Sequence, residues 1–307
     1  MLQVNSKIIV KSNVTNSSFR VNELPEEFLY DPVSKTYGDP SRRPECKSST
    51  IEFIAPQEYM LRPPQPAVYL FLLDVSRQAL ETGYLRTVCD TLGEELDKLP
   101  GDGRTQVGFI TYDRTLQFYQ IAEGSSQPTQ LIVGDIEDVF LPSPSDLLAN
   151  LNNCREQISN MLTDLPELFN GSHETDSCLG AALQAAYKMM YNTGGRITIF
   201  QSSLPNVGPG ALKSRDLQSG DKSSETSLLN PSTDFYKKLA LDCSGQQIAV
   251  DLFVLQNQHC DLATISGISK FSGGQVQVFP GFHATHNPTV AERFDRALRR
   301  YIIKLYT

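Results

Sequence analysis

No apolar run in the chain reaches the roughly 18 residues that a membrane-spanning helix needs, so no bilayer span is expected. The start, Met1-Leu2-Gln3-Val4-Asn5-Ser6-Lys7-Ile8-Ile9-Val10, has neither a long apolar core nor a small-residue cleavage site and reads as no secretory signal. The glycosylation triplets that begin at Asn13, Asn16 and Asn170 are then chance matches. Positive charge is scarce: 27 Lys and Arg against 35 Asp and Glu leave a net charge of −8, which argues against nucleic acid as a partner, because phosphate binding is dominated by Lys and Arg. There is no CxxC pair. The six cysteines, Cys46, Cys89, Cys154, Cys178, Cys243 and Cys260, are scattered and read as buried, reduced thiols rather than disulfides or metal ligands. There is no GxSxG elbow and no HExxH spacing; His173, His259, His283 and His286 fall in loops or at strand ends. Gly208-Pro209-Gly210-Ala211-Leu212-Lys213-Ser214 imitates a phosphate loop but lacks the glycine immediately before its lysine. No catalytic activity and no cofactor are expected.

What remains is an ordinary globular composition, 40% hydrophobic and 20% charged over 307 residues, enough to bury a full core. Residues 1–20 are polar after a short β-like run and read as a loosely ordered arm. Residues 21–66 carry Pro25, Pro32, Pro40, Pro44, Pro56, Pro63, Pro64 and Pro66, which favours extended chain and turns, with a short strand at 50–54. From residue 67 onward strand and helix patterns alternate. A buried strand at 68–74 leads to a helix at 83–99 with Tyr84, Val88, Leu92 and Leu96 at four-residue spacing. A hairpin turns at Asp113-Arg114, and a further strand is read at 131–133. Helices follow at about 150–165 and 177–190, a buried strand at 196–200, and a long polar loop at 203–232. Helix 232–241, strand 248–255, helix 261–269, strand 275–279 and a last helix opened by Asn287-Pro288 complete the series. The alternation predicts an α/β domain over 67–307, a mostly parallel sheet with helices on both faces.

Three places could carry function. The first is the turn Asp74-Val75-Ser76-Arg77-Gln78, at the C-terminal end of the buried strand, where open α/β sheets place their ligands. Asp-x-Ser-x-Ser there is the metal-binding signature of von Willebrand factor A domains. Here Gln78 replaces the last serine. Ser177, just before Leu179-Gly180-Ala181-Ala182-Leu183, offers the hydroxyl of a second loop, and the third loop, Gln201-Ser202-Ser203, has no carboxylate. One carboxylate with two hydroxyls is a poor cage for a Mg²⁺-type ion, so Asp74, Ser76 and Ser177 are read as a vestigial site, with Asp74 capping the following helix. The alternative is a working metal-dependent A-type ligand-binding domain. The second place is the basic cluster Arg42, Arg43 and Lys47, read as a solvated loop or as a receiver for an acidic sorting peptide. The third is a stripe on the last helix, Arg293, Arg296, Arg300 and Lys304, read as a solvated face or a contact for an anionic membrane surface or acidic partner.

Several segments together resemble one family. They are Asn22-Glu23-Leu24-Pro25-Glu26-Glu27-Phe28, the run Ile54 to Pro66, Phe71-Leu72-Leu73-Asp74-Val75-Ser76, Leu179 to Ala186, Asp234 to Ala240, and Val250-Asp251-Leu252-Phe253. The chain is similar to the Sec24 family, the cargo-adaptor subunits of the inner COPII vesicle coat, over roughly residues 19–307. The resemblance implies a trunk with the von Willebrand factor A-like (Rossmann-like) fold, normally without a working metal site. It implies a Sec23-type coat subunit as partner and recognition of sorting signals on cargo, SNARE proteins included. It also implies a cytoplasmic location in the coat, on the cytosolic face of the endoplasmic reticulum membrane. It points to Arg42 and Arg43, with Lys47 beside them, as cargo contacts. Two departures stand out. The family's four-cysteine zinc finger would end near Thr15 and Ser18, which cannot replace thiolate ligands. The family also continues past the position of Thr307 into a β-sandwich, a helical and a gelsolin-like domain, so the resemblance implies a trunk-centred piece.

Overall fold

The computed structural model describes residues 65–125, 127–143, 145–215, 228–256 and 260–304, and before them the short pieces 5–8, 29–31, 35–38 and 51–54. The chain divides into two compact units, Met1–Gln65 and Pro66–Thr307. In the first, β1 (Asn5–Ile8) pairs antiparallel with β4 (Ile51–Ile54), and β2 (Tyr30–Asp31) forms a small hairpin with β3 (Thr36–Tyr37).

The second unit is built on β5 (Val68–Asp74), all seven of whose residues are buried. Side chains alternate across a strand, and both faces here are covered. Tyr69, Phe71 and Leu73 point to one side, against α2 (Tyr84–Glu95), α3 (Arg155–Leu168) and α8 (Pro288–Lys304). Val68, Leu70 and Leu72 point to the other, against α4 (Leu179–Met190) and α5 (Phe235–Gly245). That double cover explains why the strand reads as a continuous apolar run rather than an alternating one. The remaining strands are β6 (Gln106–Tyr112), β7 (Leu116–Gln120), β8 (Thr129–Val133), the two-residue β9 (Ala149–Asn150), β10 (Gly195–Gln201), β11 (Ile248–Val254) and β12 (Val276–Val278). Their order is β12-β11-β10-β5-β6-β7-β8, with β9 added beside β6. The pairings from β12 to β6 are parallel, and β7, β8 and β9 join antiparallel. This is the expected von Willebrand factor A-like α/β arrangement. The chain order reverses between β5 and β10, so the crevice at their C-terminal ends is the topological switch point.

Boundaries differ from the sequence reading in a few places. A short helix, α1 (Arg77–Glu81), precedes α2. The expected helix 261–269 is two pieces, α6 (Leu262–Ile265) and α7 (Gly267–Ser272). On α8, Phe294, Leu298, Tyr301 and Ile302 are buried and Val290 is half-buried, which gives the helix one apolar face.

Helix α4 approaches its neighbours closely because its buried face is mostly glycine and alanine. A Cβ at Gly180 would come within 1.7 Å of the Pro209 carbonyl oxygen, which is backbone and cannot swing aside. Gly180→Ala is therefore expected to displace the 205–212 segment and to destabilise the unit by about 1–3 kcal/mol, the usual cost of overpacking. A urea midpoint unchanged from wild type would contradict this packing.

Candidate functional site: the closed polar centre at the sheet switch point

The ends of β5 and β10 and the loop before α4 bring Asp74, Ser76, Ser177, Gln201, Ser202 and Ser203 together. All six are buried. Strand register does most of the positioning: Asp74 lies opposite Tyr112 of β6, and Leu73 opposite Phe200, which places Gln201 beside the Asp74 carboxylate. A loop at Asn206 fixes Ser177, whose backbone N–H donates to Asn206 Oδ1 at 2.8 Å and whose carbonyl accepts from Asn206 N at 3.1 Å.

The Gln201 amide fills the centre. Its nitrogen lies 3.1 Å from Asp74 Oδ2, 3.1 Å from Ser177 Oγ, 2.8 Å from the Ser203 carbonyl and 3.4 Å from Ser203 Oγ. Its oxygen accepts from the Tyr112 hydroxyl at 2.6 Å. The orientation of the amide follows from this pattern, since one end faces the Asp74 carboxylate and the Ser203 carbonyl, which can only accept, and the other a phenolic donor. The amide thus touches oxygens from all three loops, the position a bridging cation would take. Mg²⁺ wants near-octahedral oxygen ligands at about 2.1 Å. Here one carboxylate and a few hydroxyls surround an N–H donor, so the residues present do not fit such an ion. Among the described residues no group of three or more His, Cys, Asp or Glu is placed to hold a metal.

Asp74 is the other hub. Its Oδ1 accepts from Ser76 N at 3.0 Å. Its Oδ2 accepts from Ser202 N and Ser203 N at 3.2 Å each, from Ser203 Oγ at 2.8 Å and from Gln201. Ser76 Oγ donates to Ser203 Oγ at 3.1 Å, so the two hydroxyls relay toward the same carboxylate. The Asp74 backbone carbonyl accepts from the Tyr84 hydroxyl. Burial pushes the Asp74 carboxyl above the ordinary carboxylate range; the hydrogen bonds from Ser76, Ser203 and Ser202 work against that rise without cancelling it.

The reading of Asp74 as a helix cap needs correcting. Helix α1 has Ser76 at its N-cap and no side-chain cap. The carboxylate turns inward to the third loop, where four donors wait, rather than outward to the first turn of a five-residue helix. Asp74, Ser76 and Ser177 do converge as the sequence suggested. Gln201 and Ser203 are the members it missed: the third loop was read only for its missing carboxylate. Gln78 has no part in the cluster. Gln201 is the last residue of β10, and its place beside Asp74 comes from the register of β10 against β5.

Chemically the cluster is self-satisfied. It holds no histidine, lysine or arginine that could activate Ser203, and each hydroxyl is engaged: Ser76 with Ser203, Ser203 with Asp74, Ser177 with the Gln201 amide and Ser202 with the Leu255 carbonyl. The described cysteines Cys89, Cys154, Cys178, Cys243 and Cys260 are free and buried, and burial holds the thiols of Cys89, Cys243 and Cys260 up to about 12, far from nucleophilic thiolate.

The other sequence-predicted sites lie elsewhere. Arg42, Arg43 and Lys47, and with them Thr15 and Ser18, are outside the described residues. Arg293, Arg296, Arg300 and Lys304 are all exposed along one side of α8. Among the described residues no helix is long and apolar enough to cross a membrane.

Comparison with known proteins adds to this. Residues 64–302 match the Sec23/Sec24 trunk domain model. Protein transport protein Sec24A of Bos taurus is 54% identical over 289 residues, covering 94% of this chain and 26% of the relative. Human protein transport protein Sec24B is 54% identical over 290 residues, covering 94% of this chain and 23% of its own length. The crystal structure of the human COPII-coat protein Sec24c matches with a TM-score of 0.71 at 35% identity, over 78% of this chain and 32% of that one. The chain spans about a quarter of the length of the curated relatives it matches.

Proposed function

The chain belongs to the Sec23/Sec24 trunk family, and on that premise we propose that it acts without catalysis, as a cargo-adaptor and scaffold part of a COPII-type coat in transport from the endoplasmic reticulum to the Golgi. The observation that carries this reading is the closed polar centre. The place where an A-type domain would hold its cation and ligand is occupied by the Gln201 amide, with its neighbours' hydrogen bonds already used. Function is thereby left to the outer surfaces. The same observation weakens the competing reading, a metal-dependent ligand-binding domain.

In this reading a face of the trunk pairs with a Sec23-type coat subunit, while Arg42, Arg43 and Lys47 hold acidic sorting signals on cargo and SNARE tails. Bidentate guanidinium–carboxylate contacts suit that task. The exposed stripe Arg293, Arg296, Arg300 and Lys304 would face an anionic surface, on the cytosolic side of the endoplasmic reticulum membrane. Charge reversal at Arg42 and Arg43 is expected to weaken an acidic tail peptide by about tenfold or more, the loss expected when charge-assisted bonds go. A peptide titration with unchanged affinity would remove these residues from the cargo site.

A further inference from the structure

A cavity of about 510 Å³ opens between the C-terminal half of α8 and the strands β10, β11 and β12. Among the described residues its charged lining is Arg196, Arg300, Lys304 and one carboxylate, Asp251, in a chain whose net charge is −8. Asp251 is fully buried and fully engaged. It accepts from Arg196 Nη1 at 2.7 Å, from the Tyr301 hydroxyl at 2.6 Å and from Gln275 N at 2.8 Å. It cannot also neutralise Arg300.

The arginines of α8 are not equivalent. Arg299 is taken by Asp295, Glu94 and Glu95. Arg293 lies over the Phe279 ring and reaches the Val278 carbonyl at 3.4 Å, and Arg296 donates to the Glu292 carbonyl at 3.3 Å. Arg300, exposed on the cavity wall, has no ion-pair or hydrogen-bond partner among the described residues. Lys304 stands in the last turn of α8, where a cation offsets the partial negative charge of the helix end. The charge left for a ligand therefore comes mainly from Arg300, with Arg196 opposite. Arg196 spends one nitrogen on Asp251, and its side chain stays 27% exposed. The amides of Gln275 and Gln277 add neutral donors to the wall.

We propose that this cavity is a binding site for a phosphate-bearing small anion, gripped between Arg300 of α8 and Arg196 of β10. Guanidinium and amide donors arriving from a helix on one side and a sheet on the other suit a tetrahedral oxyanion better than a planar carboxylate. The volume leaves room for the group that carries the phosphate. The proposal does not depend on the coat assignment.

Calorimetric titration of the whole chain with inositol hexakisphosphate tests it. One saturable site is expected. Arg300→Glu should weaken it about tenfold or more, the value of one charge-assisted contact. Arg114→Glu, the same charge change at an exposed hairpin turn outside the cavity, should change it less than about twofold. Both residues are exposed, so both variants should fold, which circular dichroism can verify. Sedimentation with phosphatidylcholine vesicles containing phosphatidylinositol 4-phosphate then separates the sources. Recruitment that Arg300→Glu abolishes identifies a lipid headgroup, and soluble binding without recruitment identifies a free phosphate ester. Absence of saturable binding overturns the proposal. So do equal losses in the two variants, which would mean a diffuse field, and equally tight, Arg300-dependent binding of hexaglutamate, which would mean a carboxylate site.

Discussion

Asp74→Ala is expected to be among the most destabilising single substitutions in this chain. It removes the one acceptor shared by Ser76 N, Ser202 N, Ser203 N, Ser203 Oγ and the Gln201 amide, all in a buried cluster. A buried donor left without a partner costs about 1–3 kcal/mol, and such losses within one network do not simply add. A total of about 3–5 kcal/mol is expected, a large share of the roughly 5–15 kcal/mol that holds a domain folded. Urea denaturation should show it as a lowered midpoint. Asp74→Asn should cost less, because one carbonyl oxygen survives, and its cost should depend on pH. Burial raises the Asp74 carboxyl in the folded state. The folded protein therefore holds this proton more tightly than the unfolded chain does. The associated stability is fully present below the unfolded value of about 3.9 and is lost as pH rises through the folded value. The deficit of the asparagine variant against wild type should accordingly be largest at acid pH and shrink toward neutrality. A deficit constant across that window would mean that the carboxylate is not held in the desolvated state described.

Gln201→Asp is expected to convert the closed centre into a cation-dependent one. The new carboxylate would face Asp74 where the amide nitrogen now lies 3.1 Å away, and would present oxygens to the Ser177 and Ser203 groups that the amide now satisfies. Two like charges in a buried site oppose each other, and one must protonate or the fold must open. Without divalent ions the thermal midpoint should fall by about 10 °C, since several kcal/mol at about 2–4 °C per kcal/mol is the scale for a unit of this size. Mg²⁺ or Mn²⁺ should restore much of the loss, because the oxygens then surround an ion rather than each other. The wild type should respond to neither ion. A variant as stable as wild type in EDTA would show that the amide does not hold the three loops together.

The layout of the fold was readable because its strands carry distinct patterns. Val68 to Leu73 is a six-residue apolar run, Asp113-Arg114 punctuates a hairpin, and Asn287-Pro288 opens the last helix; each maps onto an observed element. Helix limits were less readable where packing overrides local preference. The helix expected at 261–269 is interrupted at Ser266, and Asp261 caps only the first piece, accepting from Thr264 N. At the site, Asp74, Ser76 and Ser177 could be picked out because their spacing belongs to a known ligand pattern. Gln201 and Ser203 could not, because nothing in a linear string says that a glutamine amide will stand between three loops. That depends on the register of β10 against β5, a property of the assembled sheet. The same holds for Arg300: the stripe on α8 was visible as periodic charge, but which of its arginines stays unengaged depends on contacts such as Phe279 and the Val278 carbonyl meeting Arg293.

The central claim is that this trunk works through its outer surface, with its polar centre closed by its own glutamine. The most direct measurement is the affinity of the chain for a Sec23-type coat subunit, taken once in EDTA and once in Mg²⁺. The account predicts a complex of equal affinity in both. No complex in either, or a complex that forms only with Mg²⁺, would contradict it.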